Sequence, residues 1–556
     1  MNRWLLKLGV VLGMMGTLWL SSVVGCGNST DTKDGGTADE PAASNALVFP
    51  KDFWWGVSIA GFQGDMGCPT LPPEKCEDRN SDWYQWATSP EIAAKKLKGP
   101  DGEEFPLAGG DPISWGPGQW ELYEQDFDLA KNQLGVRAFR MSIEWSRIFP
   151  KSTIGVEGHE NLKKVANMEA VEHYRKMFKA LRSRGMEPFV TLNHYTLPLW
   201  IHNGVECHKD LEKCTAKGWV TPKVLIPEIA KYSGFVAKEF GGDVDFWLTI
   251  NEPFAVILPG YLMQVPDRVN PPGVGTKFVE ARTVMMAMIE AHARMYDAVK
   301  ENDKVDANKD GNSSQIGIPY SFSPVYPQDP KNKLDVKGAE NVSYLLNGVF
   351  MEALVNGKLD EKLDGNMKDR PDLKRLDFIG MNYYEKAEVE GTETSMLPPL
   401  SSLFTVNPFN LKNIGFYPKG IYDLLMMVKK YNKPVVITEN GHKMVVPAKA
   451  ANGAKADDSR MNEFMMRHLF WIHKAIKEGV DVKGFLFWSL VDNYEWNHGF
   501  NWRFGMFGYD PKDKTKKRVP RAAVPMYKKV IETNGLPIDD LKPLLDDEEK
   551  KLLETP

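Results

Sequence analysis

The chain has 556 residues, 42% of them apolar and 26% charged, so there is ample apolar surface to bury and disorder is excluded as its main state. The 69 Lys and Arg against 74 Asp and Glu leave a net charge of −5. With no basic excess to neutralise phosphates, nucleic acid is excluded as the main partner. Length alone allows about three or four ordinary domains, or one α/β barrel with long insertions.

The first residues read as an address. Arg3 and Lys7 make a basic start, Leu8 to Leu20 is largely apolar, and Ser21-Ser22-Val23-Val24-Gly25-Cys26 follows. A charged start, a short apolar stretch and small residues before a cut describe a secretory signal. The run is short of the roughly 20 residues that a membrane span needs. Small residues directly before a cysteine resemble a bacterial lipobox, in which Cys26 is acylated and heads the mature protein. Residues 1–25 are therefore expected to be a lipoprotein signal peptide and 26–46 a flexible tether of Gly, Ser, Thr, Asp and Ala. The folded domain is expected over 47–537. An acidic tail over 538–556 reads as a solvated amphipathic helix. On this reading the protein is lipid-anchored to a membrane, on the extracytoplasmic face of a bacterial cell envelope.

Export gives the remaining cysteines a meaning. Of five, four are left beside Cys26, in two close pairs: Cys68 with Cys76, and Cys207 with Cys214. An oxidising compartment permits two local disulfides, each contributing roughly 2.5 kcal/mol by loop-closure entropy. A zinc site is the rival, but neither CxxC spacing nor a His pair supports it, and no metal is expected.

From Phe49 onward, short strand-like runs alternate with longer helical patterns, the signature of βαβ units around a parallel sheet. Strands are expected at 136–143, 187–193, 246–250, 378–382, 434–438 and 484–488, and helices at 122–133, 170–184, 226–240, 278–300, 420–430 and 461–477. Each strand ends in a polar or aromatic residue, as at the catalytic face of a (β/α)8 TIM barrel with long βα loops, the fold class expected here. Asp306-Ala307-Asn308-Lys309-Asp310-Gly311 matches the first half of a calcium loop, but its twelfth position is Gly317 rather than Glu. A solvated turn is the expectation.

Two glutamates stand at strand ends, in Thr249-Ile250-Asn251-Glu252-Pro253 and Ile437-Thr438-Glu439-Asn440-Gly441. Glycoside cleavage needs one carboxylic acid to protonate the leaving oxygen and one carboxylate facing the anomeric carbon. Two Glu at strand ends are weak support by themselves, since such residues often serve as caps or ion-pair partners. Together, however, the two motifs resemble the acid/base and nucleophile signatures of glycoside hydrolase family 1, the retaining β-glycosidases. The resemblance runs from Phe49-Pro50-Lys51-Asp52-Phe53-Trp54-Trp55-Gly56 to about Asn534. Ala60-Gly61-Phe62-Gln63 and Leu192-Asn193-His194-Tyr195-Thr196-Leu197-Pro198-Leu199-Trp200 are most similar to the archaeal-type β-glucosidases and β-galactosidases.

The resemblance implies a (β/α)8 barrel, a carbohydrate substrate and no cofactor. It makes Glu252 the general acid/base, which has to hold a proton near neutrality, and Glu439 the nucleophile, with Asn251 on the sugar 2-hydroxyl. Gln63, His194, Glu495 and Trp496 match the ring that holds the other sugar hydroxyls, and Trp488 the aromatic platform under the pyranose. Arg140 and Tyr384 match the pair contacting the nucleophile, where a guanidinium and a phenol favour the ionised form. Bland readings stand beside these: a core histidine for His194, barrel filling for Trp488, an Arg140–Glu144 ion pair, and a rim salt bridge for Glu495. A carboxylate at Glu495 would repel phosphate, so the expected substrate is an unphosphorylated β-D-glucoside or β-D-galactoside, cleaved from the terminus. Gln63 is followed by Gly64-Asp65, and Tyr195 replaces the frequent Trp, so the choice of glycone stays open. The rivals are an anchored non-catalytic sugar-binding protein, marked by loss of either Glu, and a transglycosylase using the same residues.

Overall fold

The computed structural model describes residues 45–98, 104–266, 268–408, 410–446 and 456–554. The signal peptide, most of the tether and Cys26 lie outside the described residues. Eight parallel strands close into a barrel: β1 (Trp54–Ser58), β2 (Ala138–Ser142), β3 (Glu187–Asn193), β4 (Phe246–Ile250), β5 (Gln315–Ser321), β6 (Phe378–Asn382), β7 (Val435–Asn440) and β8 (Val482–Trp488). Each pairs with the next, and β8 pairs back to β1 with Phe485 opposite Trp55 and Trp488 opposite Ser58. A helix follows every strand: α1 (Gln119–Leu129), α2 (Met168–Ser183), α3 (Pro222–Phe240), α4 (Phe278–Asn302), α5 (Val349–Asn356), α6 (Lys419–Val428), α7 (Met461–Lys477) and α8 (Ala523–Thr533).

Helix α2 shows why the outer ring forms. Its buried Val171, Tyr174, Phe178 and Leu181 recur at helical spacing, and Asn167 caps its start by accepting from the Ala170 amide at 3.3 Å. The strands are covered outside by such helices and packed inside, so every residue of β2, β3, β4, β6 and β7 is buried. Inside the barrel Ala138, Phe189, Phe246, Leu248, Phe378, Val436 and Leu486 form one apolar layer, with Phe189 and Phe246 stacked at 4.4 Å. These residues come mostly from the starts of their strands. They plug one end, and the polar strand ends gather at the other, the pit of the barrel.

The six expected strands are present, and two more were not legible. Strand β5 carries Gly317 and Pro319, residues that ordinarily argue against a strand. Here a Cβ on Gly317 would come within 2.6 Å of the Phe378 ring, so glycine makes room for that layer. Strand β1, with Gly56 between two Trp and Val-Ser, has no clear period. Both cysteine pairs are bonded, Cys68 to Cys76 and Cys207 to Cys214.

Two details differ from expectation. Ala46, placed in the tether, opens a short strand, Ala46–Val48, antiparallel to Gly535–Pro537. The acidic tail is docked rather than solvated. Leu541 and Leu545 join the main core, and the buried Glu549 accepts from the Trp471 indole at 2.7 Å and pairs with Arg467. A tail carrying leucines at that spacing lowers its free energy by covering α7. The 306–311 segment is a turn, half-buried at 306–308 and exposed at 309–311, whose first carboxylate caps its own backbone: Asp306 accepts from the amides of Asp310 and Gly311. Among the described residues no group of three or more His, Cys, Asp or Glu is placed to hold a metal ion, and no helix is long and apolar enough to cross a membrane.

Candidate active site

Glu439 lies near the end of β7, 4% exposed. Its Oε1 accepts from Nη1 of Arg140, and its Oε2 from the Tyr384 phenol at 2.8 Å. Arg140 reaches it from β2, fixed on three further sides by Thr191 Oγ1 (3.0 Å), the Thr438 carbonyl (3.3 Å) and Asn251 Oδ1 (2.7 Å). The Arg140–Glu144 pair is therefore absent; the guanidinium serves the end of β7. Tyr384 is held beside Glu439 by backbone. The Tyr383 amide donates to the Glu439 carbonyl at 3.1 Å, and the Asn440 side chain to the Tyr383 carbonyl at 2.7 Å. The motif's glycine has a steric reason: a Cβ on Gly441 would fall 1.7 Å from the Trp488 carbonyl oxygen.

Glu252 follows β4 and starts a short helix at Pro253, with φ of 43° in the left-handed region. A non-glycine residue there costs roughly 1–3 kcal/mol and persists only where its surroundings hold it. The Glu252 amide donates to the Pro319 carbonyl at 2.8 Å, and both carboxyl oxygens are engaged: Oε1 accepts from Asn382 Nδ2 at 2.8 Å and Oε2 from the Tyr195 phenol at 2.5 Å. Tyr195 and Trp496 are left-handed as well, at φ of 72° and 50°. Three backbone outliers thus meet in one pit, where such strain tends to collect.

The remaining residues form its wall. Gln63, on the helical turn Gly61–Asp65 after β1, donates through Nε2 to Glu495 Oε2 (3.2 Å), Asn493 Oδ1 (3.1 Å) and the Tyr494 carbonyl (2.9 Å). Its own Oε1 is buried without a hydrogen-bond partner among the described residues. His194 stacks between the Trp488 and Trp496 rings, nearly parallel to both (7° and 14°). Burial, then Arg140 and Arg268, push this imidazole well below its ordinary value, so it stays neutral. Trp488 groups with Ala60, Phe504, Tyr384 and Trp502 rather than with the barrel layer. The loop after β8 that carries Glu495 is pinned by a bidentate ion pair between Asp492 and Arg521.

The electrostatics are those of three acids in one small space. Burial pushes Glu439 up to about 7, charge on Glu252 adds to that, and Arg140 and Tyr384 oppose it. Burial likewise takes Glu495 to about 7, against the pull of Arg268. The guanidinium and phenol expected to favour ionised Glu439 are in place; desolvation by burial outweighs them.

All the candidate residues meet here: Glu252, Glu439, Gln63, His194, Asn251, Tyr384, Trp488, Glu495, Trp496 and Arg140. Three more stand with them: Asn382 and Arg268, which were not singled out, and Tyr195, noted only as a departure from the family pattern. Asn382, at the end of β6, donates to both Asn251 Oδ1 (3.3 Å) and Glu252, and accepts from Thr438 at 2.6 Å, linking the two motifs. Its place before Tyr383-Tyr384 at a strand end was the available signal. Tyr195 touches Glu252 directly. Arg268 lies over the Tyr195 ring at 5.5 Å and near Glu495 at 3.8 Å; it comes from a long loop that carries no pattern.

A parallel barrel whose strand ends bring two carboxyls, an arginine and stacked aromatic rings into one pit belongs to the class of barrel O-glycoside hydrolases. The sequence model of glycosyl hydrolase family 1 matches residues 115–536, and the chain belongs to that family. It is 35% identical over 531 residues to a β-galactosidase of Pyrococcus woesei, covering 88% of this chain and 98% of that one. It is 28% identical to β-glucosidase A of Thermotoga maritima, covering 88% and 99%. Among solved structures it resembles the β-glycosidase of Thermosphaera aggregans, with a TM-score of 0.72, 31% identity and coverage of 89% and 99%.

Proposed function

We propose that the protein is a retaining, exo-acting β-glycosidase of unphosphorylated β-D-glucosides and β-D-galactosides, with Glu439 as nucleophile and Glu252 as acid/base. The observation that carries this assignment is the unequal partnering of the two acids. Glu439 is bonded to a guanidinium and a phenol, while Glu252 is bonded only to a phenol and an amide. A guanidinium favours charge on the carboxyl it touches, which suits Glu439 to attack as a carboxylate and leaves the proton-donating role to Glu252. Relatives named β-galactosidase and β-glucosidase support the glycone class.

In the first half a Glu439 oxygen attacks the anomeric carbon, the glycosidic C–O bond breaks, and the Glu252 proton passes to the departing oxygen. The product is a glycosyl ester on Glu439 and a charged Glu252. In the second half Glu252 takes a proton from water, the water oxygen attacks the anomeric carbon, and Glu439 leaves as a carboxylate. Gln63, His194, Glu495 and Trp496 hold the sugar hydroxyls, Asn251 the 2-hydroxyl, and Trp488 underlies the ring. A single buried carboxyl at Glu495 opposes a phosphate dianion. Both acids are present, which speaks against a non-catalytic sugar-binding protein. A 2-fluoro glucoside should inactivate the enzyme and label Glu439; labelling elsewhere, or turnover by Glu439→Ala equal to the native enzyme, overturns the assignment.

We place the enzyme on the extracytoplasmic face of a bacterial envelope, held by lipid on Cys26; its two cysteine bridges accord with an oxidising compartment. Palmitate labelling lost in Cys26→Ala is the expected result, and a soluble, unlabelled native protein refutes it.

A further inference from the structure

Tyr195 stands one residue past His194, where the family pattern frequently has Trp. Its phenol donates to Oε2 of Glu252 at 2.5 Å, while Asn382 donates to Oε1 at 2.8 Å, so both oxygens have neutral donors and, among the described residues, no cation pairs with them. The tyrosine is fixed in place. It is 5% exposed, its ring packs on His194 and Trp496 at 4.8 Å each, and Arg268 lies over it at 5.5 Å. That packing retains its left-handed backbone. Burial, and then the charge of Glu252, hold the phenol proton well above its ordinary range, so Tyr195 remains a donor throughout the working pH.

We infer that Tyr195 is a positioning residue that sets how readily Glu252 releases and regains its proton. A hydrogen bond to a carboxylate is roughly twice as strong as one to a neutral carboxyl. The phenol therefore stabilises Glu252 once its proton has gone to the leaving oxygen. It favours the first half of the reaction and opposes the second, in which Glu252 must take a proton from water. The Tyr195 proton itself never transfers. This rests on Glu252 being the acid/base, and it assigns to Tyr195 a control over which leaving groups the enzyme handles well. Sugar hydroxyls depart only with a proton, whereas 2,4-dinitrophenolate departs without one.

The charged and titratable groups facing this pair are Arg268, Arg140, Glu439, Glu495, Tyr384 and His194. Because burial pushes both Glu439 and Glu495 up to about 7, the leaving-group comparison is the primary readout and the pH profile the second. Tyr195→Phe should lower kcat/KM on cellobiose about tenfold, and on 2,4-dinitrophenyl β-glucoside at least fivefold less than that. The alkaline limb for cellobiose should move up by about one pH unit, the equivalent of that tenfold change. A ring-fluorinated tyrosine at 195, a stronger donor of the same shape, should move the limb the other way; its melting temperature reports folding. Equal losses on both substrates, or a limb that neither variant moves, overturn the inference. Failure of the parent reading looks different: native enzyme that cleaves neither substrate, or Glu252→Gln with native turnover.

Discussion

Two buried acidic clusters lie side by side in this molecule, and only one of them faces the pit. Glu252, Glu439 and Glu495 gather with Arg140 and Arg268 at the strand ends. Behind the Gly61–Asp65 turn, Asp65, Asp78 and Glu144 surround the single cation Arg147, which pairs with Asp65 at 3.3 Å and lies 4.0 Å over the Trp120 ring. Burial pushes Glu144 up to about 8 and Asp65 to about 7, as far as anything in the pit. A raised carboxyl is thus a mark of desolvation and not of chemistry. The clusters differ in what their oxygens meet. Glu144 is taken up by local structure: the Phe62 amide and Ser142 donate to one oxygen, Thr196 to the other. It ties the Gln63 turn to the loop after β3. In the pit, donors reach the two acids from β2, from β6 and from the loops that follow β3 and β6.

The largest effect that would sharpen this contrast is on turnover. Glu439→Gln should lower kcat by on the order of 10⁴ or more, since no covalent ester forms, while the chain still melts cooperatively. Glu252→Gln should cost about 10²–10⁴ in kcat/KM on cellobiose, the range of general acid catalysis. Arg140→Met leaves Glu439 buried without its cation; about 10²-fold lower kcat/KM and a lower melting temperature should appear together, because breaking a buried pair typically costs about 3–5 kcal/mol. If the melting temperature falls without the rate, the pit is no different from the neighbouring cluster.

The smallest effect belongs to that cluster. Glu144 is raised in the folded state, from an ordinary 4.5 to about 8. Its contribution to stability is therefore fully present below about 4.5 and is lost as pH rises through about 8. Glu144→Gln removes the charging step. Relative to the native chain, it should melt about 1–3 °C higher at pH 9 than it does at pH 5, as read by calorimetry. An equal shift at both pH values would show that Glu144 does not titrate in this window.

Much of the barrel was legible because parallel strands buried on both faces leave continuous apolar runs; β3, β4 and β6 have the expected limits. Strand β5 was not, since its Gly317 and Pro319 make sense only against the Phe378 ring across the barrel. The site divides in the same way. Glu252 and Glu439 were legible from the residues around them, while Asn382, Tyr195 and Arg268 are single residues whose meaning lies in what they touch.

The sequence by itself determined the alternation of strands and helices, the family, the cysteine pairs and the identity of the two acids, because each is encoded in local pattern or short motif. Tertiary structure decided which acid receives the guanidinium, which receives neutral donors, and which of two equally buried acidic clusters is gathered at the ends of the barrel strands. Those choices depend on side chains 55 to 299 residues apart in the chain meeting within hydrogen-bond reach, and on burial that only the closed barrel creates.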